Sequence, residues 1–358
     1  MLPSLPLLSS NEYSVYLQDD WELSNQLKLN AGIRYSMFQQ VGKYTLYNRD
    51  ANGNKSDSVQ YGPGQNVKTY GGFEPRATLR YAISENESFK AAITHNLQYI
   101  HLVTNAGTTL PTDLWVPSTI RVKPQLSWQY ALGYFKNFKE GMYETSVEAY
   151  YKTMENQIEY REGYTPSLKD PEEEFVFGKG WSYGTELFIN KVKGRFTGWI
   201  GYTLSWTWRQ FPNLNFGQKY SSRYDRRHDL SVVGSYELTK KWKLSSVFVF
   251  STGNATSLPE RFYFISGVLT QEYSRINAYR MKDYHRLDIA ATYTPQPKKI
   301  RKYTSNWVFS VYNLYSRMNP YFIYYDQEGS ATQGTLKVTA KQVSLFPVIP
   351  SVTWNVRF

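Results

Sequence analysis

The side chains best suited to acid–base or metal chemistry are few and widely separated in this 358-residue chain. The sequence contains no cysteine, which excludes disulfides and thiolate metal sites. The histidines lie on different segments, and no helix is expected that would bring two of them onto one face. We therefore interpret all four as solvent-facing residues rather than metal ligands: His95, His101, His228 and His285.

Two charged runs also deserve a chemical interpretation. The run Arg226-Arg227-His228-Asp229 has acid–base potential, but it lies where a long connection enters a strand, so we interpret it as a salt-bridged strand entrance. The acidic run 170–174 has the composition of a cation site, although a solvated loop is the simpler interpretation. The sequence has no phosphate-binding loop, dinucleotide glycine pattern or nucleophile elbow. It therefore predicts neither an enzyme nor a cofactor.

The last eight residues form a strand with two chemically different faces. Apolar and polar residues alternate from Ser351 to the terminal aromatic residue, and a β-strand sends successive side chains to opposite sides. Such a strand suits a barrel wall that must close, and equally the edge of a soluble sheet. The apolar set is Val352, Trp354, Val356 and Phe358.

Composition favours a membrane barrel over a nucleic-acid-binding or helical membrane protein. The chain has 32 tyrosines and 10 tryptophans, and membrane barrels place these residues in girdles at both interfaces. Its net charge of +11 comes from scattered lysines and arginines, which favours solvated faces and a lumen lining over nucleic-acid binding. No stretch approaches the ~18 apolar residues of a transmembrane helix.

Period-two alternation is sustained over many segments, as in residues 26–37, 125–134 and 196–209. Each apolar face is close to the ~10 residues that a tilted membrane strand needs. Short and long connections also alternate along the chain without exception, as expected for short periplasmic turns and longer extracellular loops. Together these patterns predict an all-β, antiparallel transmembrane barrel of about 13 strands. The predicted strands are 12–22, 26–40, 72–83, 88–99, 125–137, 142–158, 180–191, 195–209, 227–238, 242–253, 284–294, 304–326 and 335–358.

The last two predicted strands are longer than a membrane crossing requires. We interpret 319–327 and 335–343 as a hairpin that projects outside and turns at 328–334. Pro347 and Pro350 should mark a bulge or a lapse in pairing. Polar faces carry the charges that would line the lumen, where they are solvated: Lys28, Arg34, Arg76, Arg80, Lys90, Lys152, Arg209, Lys243, Arg286 and Arg357, against Glu144, Glu148, Glu186, Glu237 and Asp288.

An antiparallel barrel closes only with an even number of strands. The count of thirteen therefore means either a missed strand or the C-terminal part of a larger barrel, and we favour the larger barrel. Residues 1–10 carry no convincing signal peptide and are expected to be disordered or a partial leader. Residues 11–358 are expected to form the barrel.

Several segments resemble the C-terminal barrel of TonB-dependent outer-membrane receptors, most like those of Bacteroidota. The resemblance runs from residue 11 almost to the end, and its motifs occur in the family's order: VYLQDDWELSNQLKLNAGIRY, FEPRATLRY, YGTELFI, RRHDLSV, YHRLDIAATY, VYNLYSRMNP and VTWNVRF. The resemblance implies a 22-strand barrel, of which this chain supplies the last 13 strands. It also implies that the terminal strand carries the signal read by the barrel-assembly machinery.

For an intact receptor, the resemblance implies TonB-energised import of a scarce nutrient such as a siderophore, corrinoid or glycan. We expect neither a plug domain nor a motif for contacting the TonB complex within these residues, which is a departure from the family. Expected partners are outer-membrane lipid, the barrel-assembly machinery and the imported ligand, with no nucleic acid. The alternatives are a complete 14-strand passive porin, a soluble β-rich binding protein and a barrel-embedded lipase. The sequence shows no Ser/His/Asp grouping at the spacing that a barrel-embedded lipase requires.

Overall fold

A computed structural model describes residues 8–50, 55–103, 114–161, 171–265, 268–273, 275–296, 303–330 and 333–358. Thirteen long strands form its wall, and we number them in chain order. They are β1 (Ser9–Glu22), β2 (Leu27–Val41), β3 (Asn66–Ser84), β4 (Glu87–Gln98), β5 (Gln125–Phe138), β6 (Tyr143–Tyr160), β7 (Phe175–Lys191), β8 (Phe196–Gln210), β9 (His228–Glu237), β10 (Trp242–Ser251), β11 (Tyr284–Tyr293), β12 (Thr304–Tyr312) and β13 (Ile349–Arg357).

Each wall strand pairs antiparallel with the next one in the chain, so the wall is a single meander from β1 to β13. A two-residue strand, Tyr220–Ser221, also pairs with β8. The first and last strands run in the same direction because the number of antiparallel strands is odd. Among the described residues β1 and β13 do not pair with each other, and each has one free edge.

The shorter elements all lie at one edge of the wall, where the even-numbered strands end. They form five small hairpins and two short 3-10 helices. The hairpins are Tyr44–Arg49 with Lys55–Tyr61, Ile100–Val103 with Leu114–Pro117, Ala255–Thr256 with Tyr279–Arg280, Arg261–Ile265 with Val268–Glu272, and Pro320–Glu328 with Lys337–Ser344; the 3-10 helices are Pro171–Glu174 and Asn215–Gly217. We call this edge the loop layer. Within the described ranges, no helix is long and apolar enough to cross a membrane.

The thirteen predicted strands are confirmed, as is the separate hairpin near the C-terminus. The predicted bounds need three corrections. Strand β1 begins at Ser9, inside the segment expected to be disordered, whereas residues 1–7 lie outside the described residues. Strands β3 and β7 begin at Asn66 and Phe175, well before the predicted positions. Their first residues pair with β2 and β6, respectively, although they precede the segment in which apolar and polar residues alternate regularly.

The two prolines near the C-terminus behave differently. Pro347 lies in the unpaired segment between the hairpin and β13, where the expected lapse in pairing occurs. Pro350 instead lies within β13, opposite Val311, so the expected interruption at this position is wrong. An edge strand tolerates proline because one row of its N–H groups has no partner in the ladder.

The wall has no packed interior of its own. Large apolar side chains on one face remain exposed, among them Leu132 at 65%, Val352 at 62% and Phe73 at 62%. A soluble sheet would bury such a face against a second layer. The buried apolar clusters lie instead in the loop layer, so the wall is stabilised by strand pairing and by whatever medium covers its apolar face.

Candidate functional site

The polar face of the wall is divided by charge, and the register of the strands explains how. Lys28 on β2 lies directly opposite Arg80 on β3, which in turn lies opposite Lys90 on β4. Arg34 and Arg76 lie on the same face. Arg34 is 3.7 Å from Glu12 and 3.8 Å from Glu74, and Lys28 pairs with Glu22, so part of this positive charge is compensated within the wall. The Nζ of Lys90 sits 4.2 Å from the centre of the Phe135 ring, a cation–π contact with β5.

Strands β6 and β7 carry the opposite charge. Glu148 and Glu186 are directly opposed across these strands and line a cavity of about 470 Å³ together with Glu144. Ser146 Oγ donates to Glu148 Oε1 at 3.2 Å, and Asn190 Nδ2 donates to Glu144 Oε2 at 2.9 Å. Like charges placed directly opposite each other destabilise a sheet. Both halves of the polar face are therefore suited to contact a bound partner of opposite charge.

Two apolar clusters hold the loop layer together. The first joins the β4–β5 and β6–β7 connections and consists of Val103, Val116, Val122, Ile158, Tyr160 and Phe175, all buried. The second consists of Phe211, Leu214 and Tyr220, beside Val176 and Ile276. Burial of these side chains, at ~1.5–3 kcal/mol each, stabilises the described parts of these connections.

The acidic run belongs to this packed layer, so its interpretation as a solvated loop is wrong for the described residues. Glu172 is buried and accepts a hydrogen bond from Thr119 Oγ1 at 2.9 Å. Glu173 pairs with Arg121 at 3.3 Å, and Glu174 pairs with Arg161. Asp170 lies outside the described residues. No group of three or more His, Asp or Glu side chains in the described ranges is arranged to hold a metal ion.

The four histidines are not brought together. His95 packs against Trp128 with ring centroids 4.5 Å apart. His228 Nδ1 is 2.8 Å from the Tyr202 hydroxyl, and His285 Nδ1 is 2.8 Å from the Tyr315 hydroxyl.

His101 contradicts the interpretation of the histidines as solvent-facing. It is fully buried in the loop layer, with Nε2 3.0 Å from Ser118 Oγ. Burial lowers the pKa of His101 to about 4 because the charged imidazolium loses its hydration there.

The salt-bridged strand entrance before β9 is present, but its central carboxylate is Asp225, which the sequence analysis did not single out. Asp225 is 1% exposed and pairs with Arg280 and, at 3.6 Å, with Arg227. Its Oδ1 also accepts the backbone N–H of Thr207 at 2.6 Å. Arg227 in turn lies over the Trp206 ring at 4.6 Å. This network ties the β8–β9 and β10–β11 connections to strand β8.

The residues predicted as an assembly signal lie along the outermost strand. Val352 and Trp354 face the same side as Phe309 and Trp307, and Trp354 stacks on Trp307 with centroids 5.6 Å apart. Val356 lies on that side as well. The last residue, Phe358, is 96% exposed.

Comparison with known proteins identifies the architecture. A family model described as "TonB dependent receptor-like, beta-barrel" matches residues 5–314. No curated protein sequence matches the chain. Among solved structures, the siderophore receptor PiuA from Acinetobacter baumannii superposes with a TM-score of 0.59 at 12% identity, over 97% of this chain and 43% of that one.

Two further structures give the same result. The ferripyoverdine receptor of Pseudomonas aeruginosa superposes with a TM-score of 0.58 at 15% identity, over 97% of this chain and 38% of that one. The FrpB iron transporter from Neisseria meningitidis gives 0.57 at 14% identity, over 98% and 46%. The chain thus spans less than half the length of the receptors whose fold it shares.

Proposed function

Because the chain belongs to the TonB-dependent receptor β-barrel family and is an outer-membrane protein, we propose that it forms part of the wall of a receptor that imports a scarce nutrient. Its apolar face contacts lipid and its polar face lines the lumen. Import would be energised by the TonB complex acting on a plug domain. The members of this family are transport receptors rather than enzymes.

The observation that carries this proposal is the charge pattern of the lumen face. Three cations lie in register on β2–β4, one of them paired with Glu22, and two glutamates oppose each other on β6 and β7. A plug with acidic and basic faces of its own would neutralise both halves. Such a plug and the first wall strands would be supplied by a part of the polypeptide other than residues 1–358.

The free edges of β1 and β13 support the same proposal. Both strands run in one direction, so closure of the barrel requires an odd number of additional strands between them. Nine strands would complete a 22-strand barrel. A complete 14-strand passive porin would need one more spanning strand. Within the described residues the best candidate, Lys337–Ser344, pairs only with Pro320–Glu328 in the loop layer.

The imported ligand is proposed to be a siderophore, a corrinoid or a glycan. The compared structures are named as receptors or transporters for a siderophore, ferripyoverdine and iron, which favours a ferric chelate as the first ligand to test. The packed loop layer would form the outer part of its binding site. The barrel-assembly machinery is proposed to read Val352, Trp354, Val356 and Phe358.

Uptake by cells tests the proposal. The full open reading frame that contains this chain would be expressed in a strain that lacks its own ferric-siderophore receptors, with and without TonB. Accumulation of labelled ferric chelates, cobalamin and oligosaccharides would be measured in parallel. We expect saturable uptake of one class that disappears without TonB. Equal uptake in both strains would refute energised import and support a passive channel.

A further inference from the structure

A cationic pocket opens on the lipid-facing side of the wall, immediately above its apolar surface. The pocket has a volume of about 490 Å³ and is lined by Lys282, His285, Tyr315, Arg317, Met318 and Gln342. His285 lies on β11 on the same face as Leu287 and Ile289, whereas the alternate residues Arg286 and Asp288 face the lumen. The pocket therefore meets the membrane at the edge that carries the loop layer.

The two cations of this pocket form no ion pair among the described residues, although the Asp283 carboxylate lies close enough to act on His285. Among the described residues, neither Lys282 nor Arg317 has a carboxylate within ion-pair distance. Arg317 donates from Nη2 to the backbone carbonyl of Asp283 at 2.8 Å, and its Nε has no hydrogen-bond partner in the described structure. The Asp283 carboxylate instead accepts the N–H of Gly253 at 3.0 Å.

A second feature of the same face lies directly below the pocket. Leu244, Ala291, Phe309 and Val352 are cross-strand neighbours in one row and line an apolar groove of about 640 Å³. The groove exists because the side chain of Ala291 is small and its neighbours Leu244 and Phe309 are large. At ~3.3 Å per residue and a ~45° tilt, the groove lies about 14 Å deeper in the membrane than His285.

We propose that the pocket and the groove together bind an outer-leaflet lipid whose headgroup carries phosphate. Lys282 and Arg317 bind the phosphate oxygens, since guanidinium and ammonium groups donate charged hydrogen bonds to phosphate. The acyl chain lies in the groove beside Ala291. A membrane-facing site with a cationic head and an apolar tail matches an anionic amphiphile better than a soluble anion.

Binding of lipid by the full polypeptide in nanodiscs tests this inference. The probe is diphosphoryl lipid A, compared with its dephosphorylated form and with inorganic phosphate. We expect the double variant K282Q/R317Q to bind diphosphoryl lipid A about thirtyfold more weakly, from ~1 kcal/mol per cation near a charged surface. Binding of dephosphorylated lipid A should not change.

A matched control removes the same charge from the neighbouring hairpin. Lys341 is paired with Asp326, and Lys337 is exposed, so K337Q/K341Q should retain wild-type affinity. A291F fills the groove and should weaken lipid binding while leaving any binding of inorganic phosphate unchanged. Equal lipid affinity of wild type and K282Q/R317Q, with heat-modifiable folding intact in both, would overturn the proposal. Binding of inorganic phosphate without preference for the lipid would also overturn it.

Discussion

Introducing one arginine on each face of β8 should separate the lipid side from the lumen side. Ile200 and Thr203 are three residues apart and face opposite sides of the wall. At about 2.3 Å of depth per residue for a ~45° tilt, Ile200 lies ~9 Å and Thr203 ~16 Å above Phe196 at the start of the strand. In an apolar band ~25 Å tall, both positions are about equally far from the midplane.

The neighbours of the two positions predict opposite outcomes. Ile200 is directly opposite Ile189 and Val232, so an arginine there has no partner and enters the acyl chains. The expected cost is ~2–4 kcal/mol. Thr203 is directly opposite Glu186 on one side and Asp229 on the other. An arginine there reaches two carboxylates across the strands, and we expect a change between zero and ~1 kcal/mol of stabilisation.

The difference between the two variants, ~2–5 kcal/mol, corresponds to a factor of ~30 to 5,000 in the ratio of folded to unfolded protein. It should be visible as a loss of heat-modifiable folded barrel from the outer membrane for Ile200→Arg and not for Thr203→Arg, each made in the full open reading frame. Ile200→Leu serves as the control for side-chain size. Equal folded levels of the two arginine variants would refute the assignment of the faces.

Three further predictions concern the terminus and the loop layer. Phe358→Ala should lower the amount of assembled barrel through loss of the assembly signal, whereas the comparably exposed Phe216→Ala should not; equal levels on gels of outer membranes would contradict this. Asp225→Ala leaves Arg280 without its carboxylate and should cost ~3–5 kcal/mol of local stability, seen as faster proteolysis of the loop layer but not of the wall. For His101 the folded pKa is about 4 and the unfolded value near 6.5, so the unfolded loop binds more protons between these values. Its stability should be full above pH ~6.5 and fall by up to about 3 kcal/mol toward pH 4, and hydrogen exchange in His101→Asn should lack this dependence.

The wall was predictable from the sequence because the patterns that indicate its strands involve residues close together in the chain. Period-two alternation and the alternation of short and long connections depend only on neighbouring residues, and together they located all thirteen strands. The predicted strand bounds are wrong where the alternation of apolar and polar residues is interrupted. Tyr70-Gly71-Gly72 and Gly178-Lys179-Gly180 interrupt the alternation, yet the segments before them pair as the upper parts of β3 and β7.

The loop layer was not predictable because its contacts join residues far apart in the chain. Asp225 and Arg280 are 55 residues apart, and Thr119 and Glu172 are 53 apart. The charged run 172–174 has the composition of a solvated loop. Its burial depends on Thr119 and Arg121, which belong to a different connection. The burial of His101 follows in the same way from packing between connections, which no pattern in one segment records.

The lumen face was predictable only in part from the sequence. Alternation placed Lys28, Arg80 and Lys90 on one face, but only the register of β2, β3 and β4 puts them directly opposite each other. Each such like-charge pair opposes sheet formation by a few tenths of a kcal/mol to ~1 kcal/mol. A wall that places cations in register on one half, and glutamates in register on the other, is less stable when its lumen is empty than when a complementary surface covers it. The bound partner inferred for this face would therefore stabilise the barrel as well as gate it.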